Sequence, residues 1–176
     1  MFLSKYFNAT LLLSLLVPAM SHALPEDWQQ EMTILSDRAE IDRRAGTVIY
    51  EGKVVLTQGT LKIEADRLLI LRDGDALEKA VAEGNPARYE QQIDPGKPVT
   101  HALGNRIDYY TSDRRITLRG DAELKQDGNL FSGDTITYDM NTETVKAKGN
   151  KASESVGERT EDGRIKVVIQ PQKPQD

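Results

Sequence analysis

Apolar and polar residues alternate along most of the chain between Thr33 and Ile169. Val48, Tyr50, Val54 and Leu56 fall on one side of an extended backbone, with Thr47, Glu51, Lys53 and Thr57 on the other. Leu61, Ile63 and Ala65 against Thr60, Lys62, Glu64 and Asp66 repeat the pattern. So do Ile116, Leu118, Ala122 and Leu124 against Thr117, Arg119, Asp121, Glu123 and Lys125. A period of two with one apolar side predicts antiparallel strands that bury a single face. Asp73-Gly74, Asp127-Gly128 and Asp162-Gly163 are dipeptides that tight hairpins prefer, and Gln58-Gly59-Thr60 and Pro95-Gly96 mark further turns. No stretch keeps a helical period. The chain is therefore expected to be all-β, with two apolar sheet faces opposed in a sandwich or an open jelly-roll.

The strand pattern is also repeated. Asp37, Asp66, Asn105 and Asp134 each begin an alternating segment, and a glycine follows each: Gly52, Gly84, Gly120 and Gly149. The offsets are 15, 18, 15 and 15 residues. Each unit reads as two strands and a turn, with the glycine allowing a bulge or bend where the sheet turns a corner. The three extra residues of the second unit are expected in a loop from Arg72 to Ala76.

The ends differ. Met1 to Ala23 carries basic Lys5, an apolar run from Leu11 to Val17, a break at Pro18 and the small-x-small sequence Ser21-His22-Ala23, the organisation of a cleaved secretory signal. Residues 24–169 then read as one domain, and the polar, proline-bearing residues 170–176 as a disordered tail.

Of the 176 residues, 23 are Lys or Arg and 28 are Asp or Glu. Removing the signal takes away Lys5 alone among them, leaving 22 basic against 28 acidic residues. That acidic balance argues against nucleic acid as a partner. There is no Cys, and His101 is the only imidazole beyond the signal, which leaves little with which to build a zinc site or a catalytic triad. No metal and no cofactor is expected.

Other motifs resolve into structure. Gly46 to Lys53 has one residue too many for a phosphate loop and Val54 where a magnesium-binding hydroxyl belongs. Asp73 and Asp75 lack the later Glu of a calcium loop. Alternation puts nearly all carboxylates on the wet face, and His101 in a turn-rich surface stretch, so no enzyme is expected. Tyr50, Tyr89, Tyr109 and Tyr138 stand at apolar-phase positions. They read either as core residues whose hydroxyls find partners or as the lining of a ligand groove.

The stretch from Val48 to Asp66, VIYEGKVVLTQGTLKIEAD, resembles the signature of the LptA, or organic solvent tolerance A, family of periplasmic lipopolysaccharide-transport proteins. Gly84-Asn85-Pro86-Ala87-Arg88-Tyr89, Gly96-Lys97-Pro98-Val99 and the units Asn105 to Gly120 and Asp134 to Gly149 correspond too. The resemblance implies an antiparallel β-jelly-roll, open, slightly twisted, with two facing sheets and an apolar interior that takes the lipid A part of lipopolysaccharide. It implies a periplasmic carrier that bridges inner and outer membranes. Its implied partners are an LptC-like inner-membrane anchored protein, the outer-membrane translocon of LptD with LptE, and further copies of itself, head to tail.

By position, the family's lipid-contacting sites near the first strand fall on Met32 and Ile34, and later ones on Tyr89 and Tyr109. The apolar phase adds Val48, Tyr50, Val54, Leu56, Leu61 and Ile63 from the first unit. Leu68, Ile70, Ile107, Leu118, Ile136 and Tyr138 follow from the later ones. The terminal strands, Met32 to Ser36 and Arg164 to Gln170, have no internal proline and suit strand addition, with Met32, Ile34, Ile165, Val167 and Ile169 as contact residues. The alternative is a scaffold of the cell envelope with the same fold and a closed core, acting by strand addition alone.

Overall fold

The structure, a computed structural model, describes residues 27–73, 76–150 and 163–171. The signal segment and residues 172–176 of the tail lie outside them, as do Gly74 of the expected Asp73-Gly74 turn and Asp162 of the expected Asp162-Gly163 turn. A single 3₁₀ turn, η1 (Asp27–Gln29), precedes ten strands: β1 (Met32–Leu35), β2 (Arg38–Asp42), β3 (Thr47–Gln58), β4 (Leu61–Asp73), β5 (Ala76–Gln91), β6 (Thr100–Tyr110), β7 (Arg115–Gln126), β8 (Asn129–Asp139), β9 (Thr144–Lys148) and β10 (Lys166–Val168). All pairings are antiparallel and join one sheet, with β3 to β8 as consecutive neighbours. β1 and β2 share the outer edge of β3, and β9 and β10 share that of β8. These short strands form the two edges of an open sheet.

The five central strand pairs slip register at mid-length, between Glu51 and Val54, Glu64 and Arg67, Glu83 and Ala87, Leu103 and Arg106, and Arg119 and Ala122. The slips line up across the sheet, and there each strand turns a corner. Tyr89 shows how far it turns. Tyr109 is paired with Ala80, nine residues from Tyr89 along β5. Nine residues of straight strand span about 30 Å, yet the Tyr89 and Tyr109 ring centroids lie 6.0 Å apart. The same holds for Gln126 and Tyr138, hydrogen-bonded although Gln126 is paired with Asn129, nine residues away along β8. The sheet is folded over on itself. The two facing sheets expected from sequence are thus two halves of the same strands.

The repeat explains the corner. Register sets each Asp or Asn opposite the glycine of its own unit, and two of these pairs touch. A Cβ on Gly52 would collide with the Asp37 side chain, and one on Gly120 would stand 2.7 Å from Asn105 Nδ2. Both glycines, at φ 83° and 72°, and the residues after them, Lys53 and Asp121, are in the left-handed region that L side chains resist. The second unit achieves its bend differently, looping out residues 84–86. Its extra length is not the loop expected from sequence: Arg72, Asp73 and Ala76 are strand, paired as Arg72–Leu77 and Asp73–Ala76. Longer strands, with a bulge at Leu71, accommodate it.

Folding the sheet buries its apolar face without any second layer. Leu56, Leu68, Tyr89, Ile107, Ile116, Leu118, Leu124, Ile136 and Tyr138 have no accessible surface. Each half is the other's cover.

Candidate functional site: the apolar interior and its lips

The interior contains the residues that alternation placed on the apolar side. Val48, Val54, Leu56, Leu61, Ile63, Leu68, Ile70, Tyr89, Ile107, Tyr109, Leu118, Ile136 and Tyr138 are buried in one cluster, and Met32, Ile34 and Tyr50 pack on it half-buried. Ala80, Ala82, Ala87, Ala102 and Met140 belong to the same cluster. Alternation marks alanines poorly because so short a side chain is unremarkable on either face. The sheet is open at its edges, as the resemblance implies, and its two apolar faces are in mutual contact.

Two of the buried phenols are hydrogen-bonded from the rim. Tyr89 Oη donates to Gln91 Oε1, and Gln126 Nε2 donates to Tyr138 Oη. Burial pushes the Tyr89 phenol well above its ordinary value of 10, with Tyr109, Asp27 and Tyr138 adding to the effect. Burial likewise raises Tyr109 and Tyr138. All three remain neutral hydrogen-bonding groups at neutral pH, so the interior carries no charge. The glutamines were invisible to sequence reasoning because each stands at a strand end, where alternation is interrupted by the turn.

Because the strands fold at mid-length, the turns at their two ends come together along the opposite side and form two lips. Lys97, in the β5–β6 loop, crosses between them. Its Nζ lies 3.1 Å from Asp94 Oδ2 in the same loop and 3.0 Å from Glu143 Oε1 in the β8–β9 turn. The pair is exposed, so it is a weak clasp rather than a lock.

On the outer face, charges form a ladder across the strands: Arg38 with Glu51, Glu51 with Arg67, Arg67 with Glu83, and Glu83 with Arg106. It ends on Asp108, which also meets Lys79 at 2.9 Å and Arg119. The alternation of sequence has the correct phase here but the wrong environment. Asp108 points outward yet is only 1% exposed, covered by those cations and flanked by buried Val81 and Thr117. Burial alone would raise its carboxyl pKa; the hydrogen bonds from Arg106 and Lys79, with their charges, hold it below the usual carboxylate value. His101 is an exposed side chain 3.4 Å from Glu90.

At the ends of the sheet, Met32 and Ile34 lie on β1 as expected. The last strand is shorter than sequence suggested. It covers Lys166–Val168, so Ile165 and Ile169 flank it. Ile165, Val167 and Ile169 are exposed, as are Leu35 and Ile41 at the opposite edge.

A family model described as LptA/(LptD N-terminal domain) LPS transport protein matches residues 33–144. The chain is 38% identical over 157 residues to the lipopolysaccharide export system protein LptH of Pseudomonas aeruginosa, covering 88% of this chain and 87% of that one. It is 33% identical over 171 residues to the lipopolysaccharide export system protein LptA of Escherichia coli, covering 96% and 85%. The crystal structure of LptH, the LptA-homologous periplasmic component of the P. aeruginosa lipopolysaccharide transport device, superposes with a TM-score of 0.71. Its sequence is 36% identical, over 84% of this chain and all of that one.

Proposed function

The chain belongs to the LptA/LptD N-terminal-domain family of lipopolysaccharide-transport proteins, and from that premise we propose that it is a periplasmic, non-enzymatic carrier of lipopolysaccharide. The acyl chains of lipid A lie between the folded halves of the sheet. The observation that carries this reading is that, among the described residues, the apolar face is covered by its own other half. No helix or second sheet has to be displaced among the described residues. A lipid that parts the two halves exchanges one apolar contact for another.

The energetics suit a carrier. A buried methylene is worth about 0.8 kcal/mol, so an acyl chain of roughly a dozen methylenes is disfavoured in water by on the order of 10 kcal/mol. Several chains per lipid forbid free diffusion. Transfer from a bilayer into an apolar interior is nearly neutral, so the interior supplies a route and takes its direction from elsewhere. In this reading Met32, Ile34, Tyr50, Tyr89, Tyr109, Tyr138 and the buried aliphatics around them contact the chains.

Bridging two membranes requires continuation of the interior from copy to copy. The exposed Ile165, Val167 and Ile169 at one sheet edge and β1 at the other suit head-to-tail strand addition. The same geometry suits pairing with an LptC-like protein at one end and with LptD, itself carrying a related domain, at the other.

Photo-crosslinking in cells tests the cargo. A photoreactive residue at Tyr109 gives lipopolysaccharide adducts, and one at Glu123, outward and exposed on β7, gives none. Well-expressed protein without adducts at Tyr109, Tyr89 or Met32 would instead identify a closed-core scaffold.

A further inference from the structure

We propose that η1 is a strap laid over one lip of the sandwich, held by Asp27 and released through Gln91 when the interior Tyr89 moves; the proposal rests on the interior being the lipid site. The strap is a built contact. Asp27 Oδ1 accepts the Thr60 backbone N–H at 2.7 Å, and Oδ2 accepts Thr60 Oγ1–H at 2.8 Å and Gln91 Nε2 at 2.5 Å. Thr60 Oγ1 in turn accepts the Gln92 N–H at 3.1 Å, and Gln58 Nε2 donates to Gln30 O at 3.1 Å. Three donors on one carboxylate make charge-assisted bonds, the stronger kind. Gly59 makes room for them: at φ 58°, any Cβ there would run into the Asp27 carboxylate. The β3–β4 turn is thus shaped to receive a residue 33 positions earlier in the chain.

The strap is also wired to the interior. A polar link from Asp27 inward runs through the Gln91 amide, whose Nε2 faces Asp27, whose Oε1 accepts the Tyr89 hydroxyl, and which also reaches the Tyr109 phenol. Tyr89 is fully buried, and its ring faces Tyr109 from the opposite half of the sheet. An acyl chain entering between the halves separates those rings. Gln91 can follow the Tyr89 hydroxyl only by leaving Asp27, and if it stays, the buried hydroxyl loses its partner. Either way occupancy weakens the strap. Because η1 leads directly into β1, release also loosens the approach to a sheet edge.

Hydrogen exchange with mass-spectrometric readout tests this on the mature chain with and without purified lipopolysaccharide at saturation, following residues 27–31 and 58–61 as strap reporters and residues 107–118 as interior reporters. Lipopolysaccharide should speed strap exchange about 10-fold in the wild type. Asp27→Asn, which turns an amide donor toward donors, should be fast without ligand and gain nothing from it. Tyr89→Phe combined with Tyr109→Phe keeps both rings but removes both hydroxyls from Gln91, so its strap should stay slow when the interior is loaded. An interior that responds while the wild-type strap stays slow overturns the strap and leaves the lipid site standing. A strap of that double variant that opens like the wild type overturns the wiring. If residues 107–118 do not respond at all, the lipid site itself fails and the proposal falls with it.

Discussion

Gly120 and Asn105 meet on the fold line, where a methyl group has nowhere to go. Gly120→Ala combines a left-handed backbone with a Cβ 2.7 Å from Asn105 Nδ2. We expect a loss of about 2 kcal/mol, or about 4–8 °C in thermal midpoint. Gly96→Ala is the control: its φ is 84°, but nothing lies within 4 Å, so it reports the backbone penalty alone. Asp108 is the second sensitive residue. Asp108→Ala leaves Lys79, Arg106 and Arg119 facing one another, and chemical denaturation should register a loss of about 2–3 kcal/mol. That lies at or below the figure for fully buried pairs, because the cations reach solvent.

Because the folded-state pKa of Asp108 is depressed, its stabilisation is present above the unfolded carboxylate value near 4 and is lost as pH falls below it. The acid limb of the stability curve should therefore flatten in Asp108→Asn. The three interior tyrosines act with the opposite sign. Their raised pKa values mean that stability is intact below pH 10 and lost as pH rises from there toward their folded-state values. An ultraviolet titration should show these phenols ionising above the ordinary value, together with loss of structure.

Each long strand is half of one face and half of the other. β3 to β7 bend near their midpoints, and each half-strand packs on the distant half of the sheet rather than on its own continuation. The edges are where this arrangement stops. Among the described residues, β1, β2, β9 and β10 each pair with one neighbour on one side only. Ile165 and Ile169 are exposed, so Ile165→Asp and Ile169→Asp should leave the thermal midpoint within a degree or two. They should shift the mass distribution in light scattering toward the monomer, because an uncompensated carboxylate at an apolar junction must be desolvated for a second copy to dock.

At the scale of the molecule, loading is an opening of the folded sheet along its lips. Lys97 and Glu143 stand on opposite lips. Replacing both by Cys in this cysteine-free chain and joining them with a short bis-maleimide should reduce lipopolysaccharide binding more than 10-fold. The unlinked double variant should bind like the wild type. Equal binding by the linked and unlinked forms would show that the lips do not have to part.

Alternation of side chains is local, and so it was legible: the strands, the turns at Gln58-Gly59 and Asp127-Gly128, and the inward phase of nearly every buried residue follow from a period of two and from turn chemistry. The Asp/Asn-to-Gly repeat was legible as well, and at Gly52 and Gly120 the reason is a backbone that enters the left-handed region. What covers the apolar face was not legible. Whether Tyr89 meets Tyr109 or Gln126 meets Tyr138 depends on the angle through which aligned bulges fold the sheet. That angle brings together residues nine positions apart along a strand, whose straight separation would forbid contact. Asp27 reaching Thr60 and Gln91 is of the same kind. The sequence names the carboxylate, but only the closed tertiary structure sets its three donors around it.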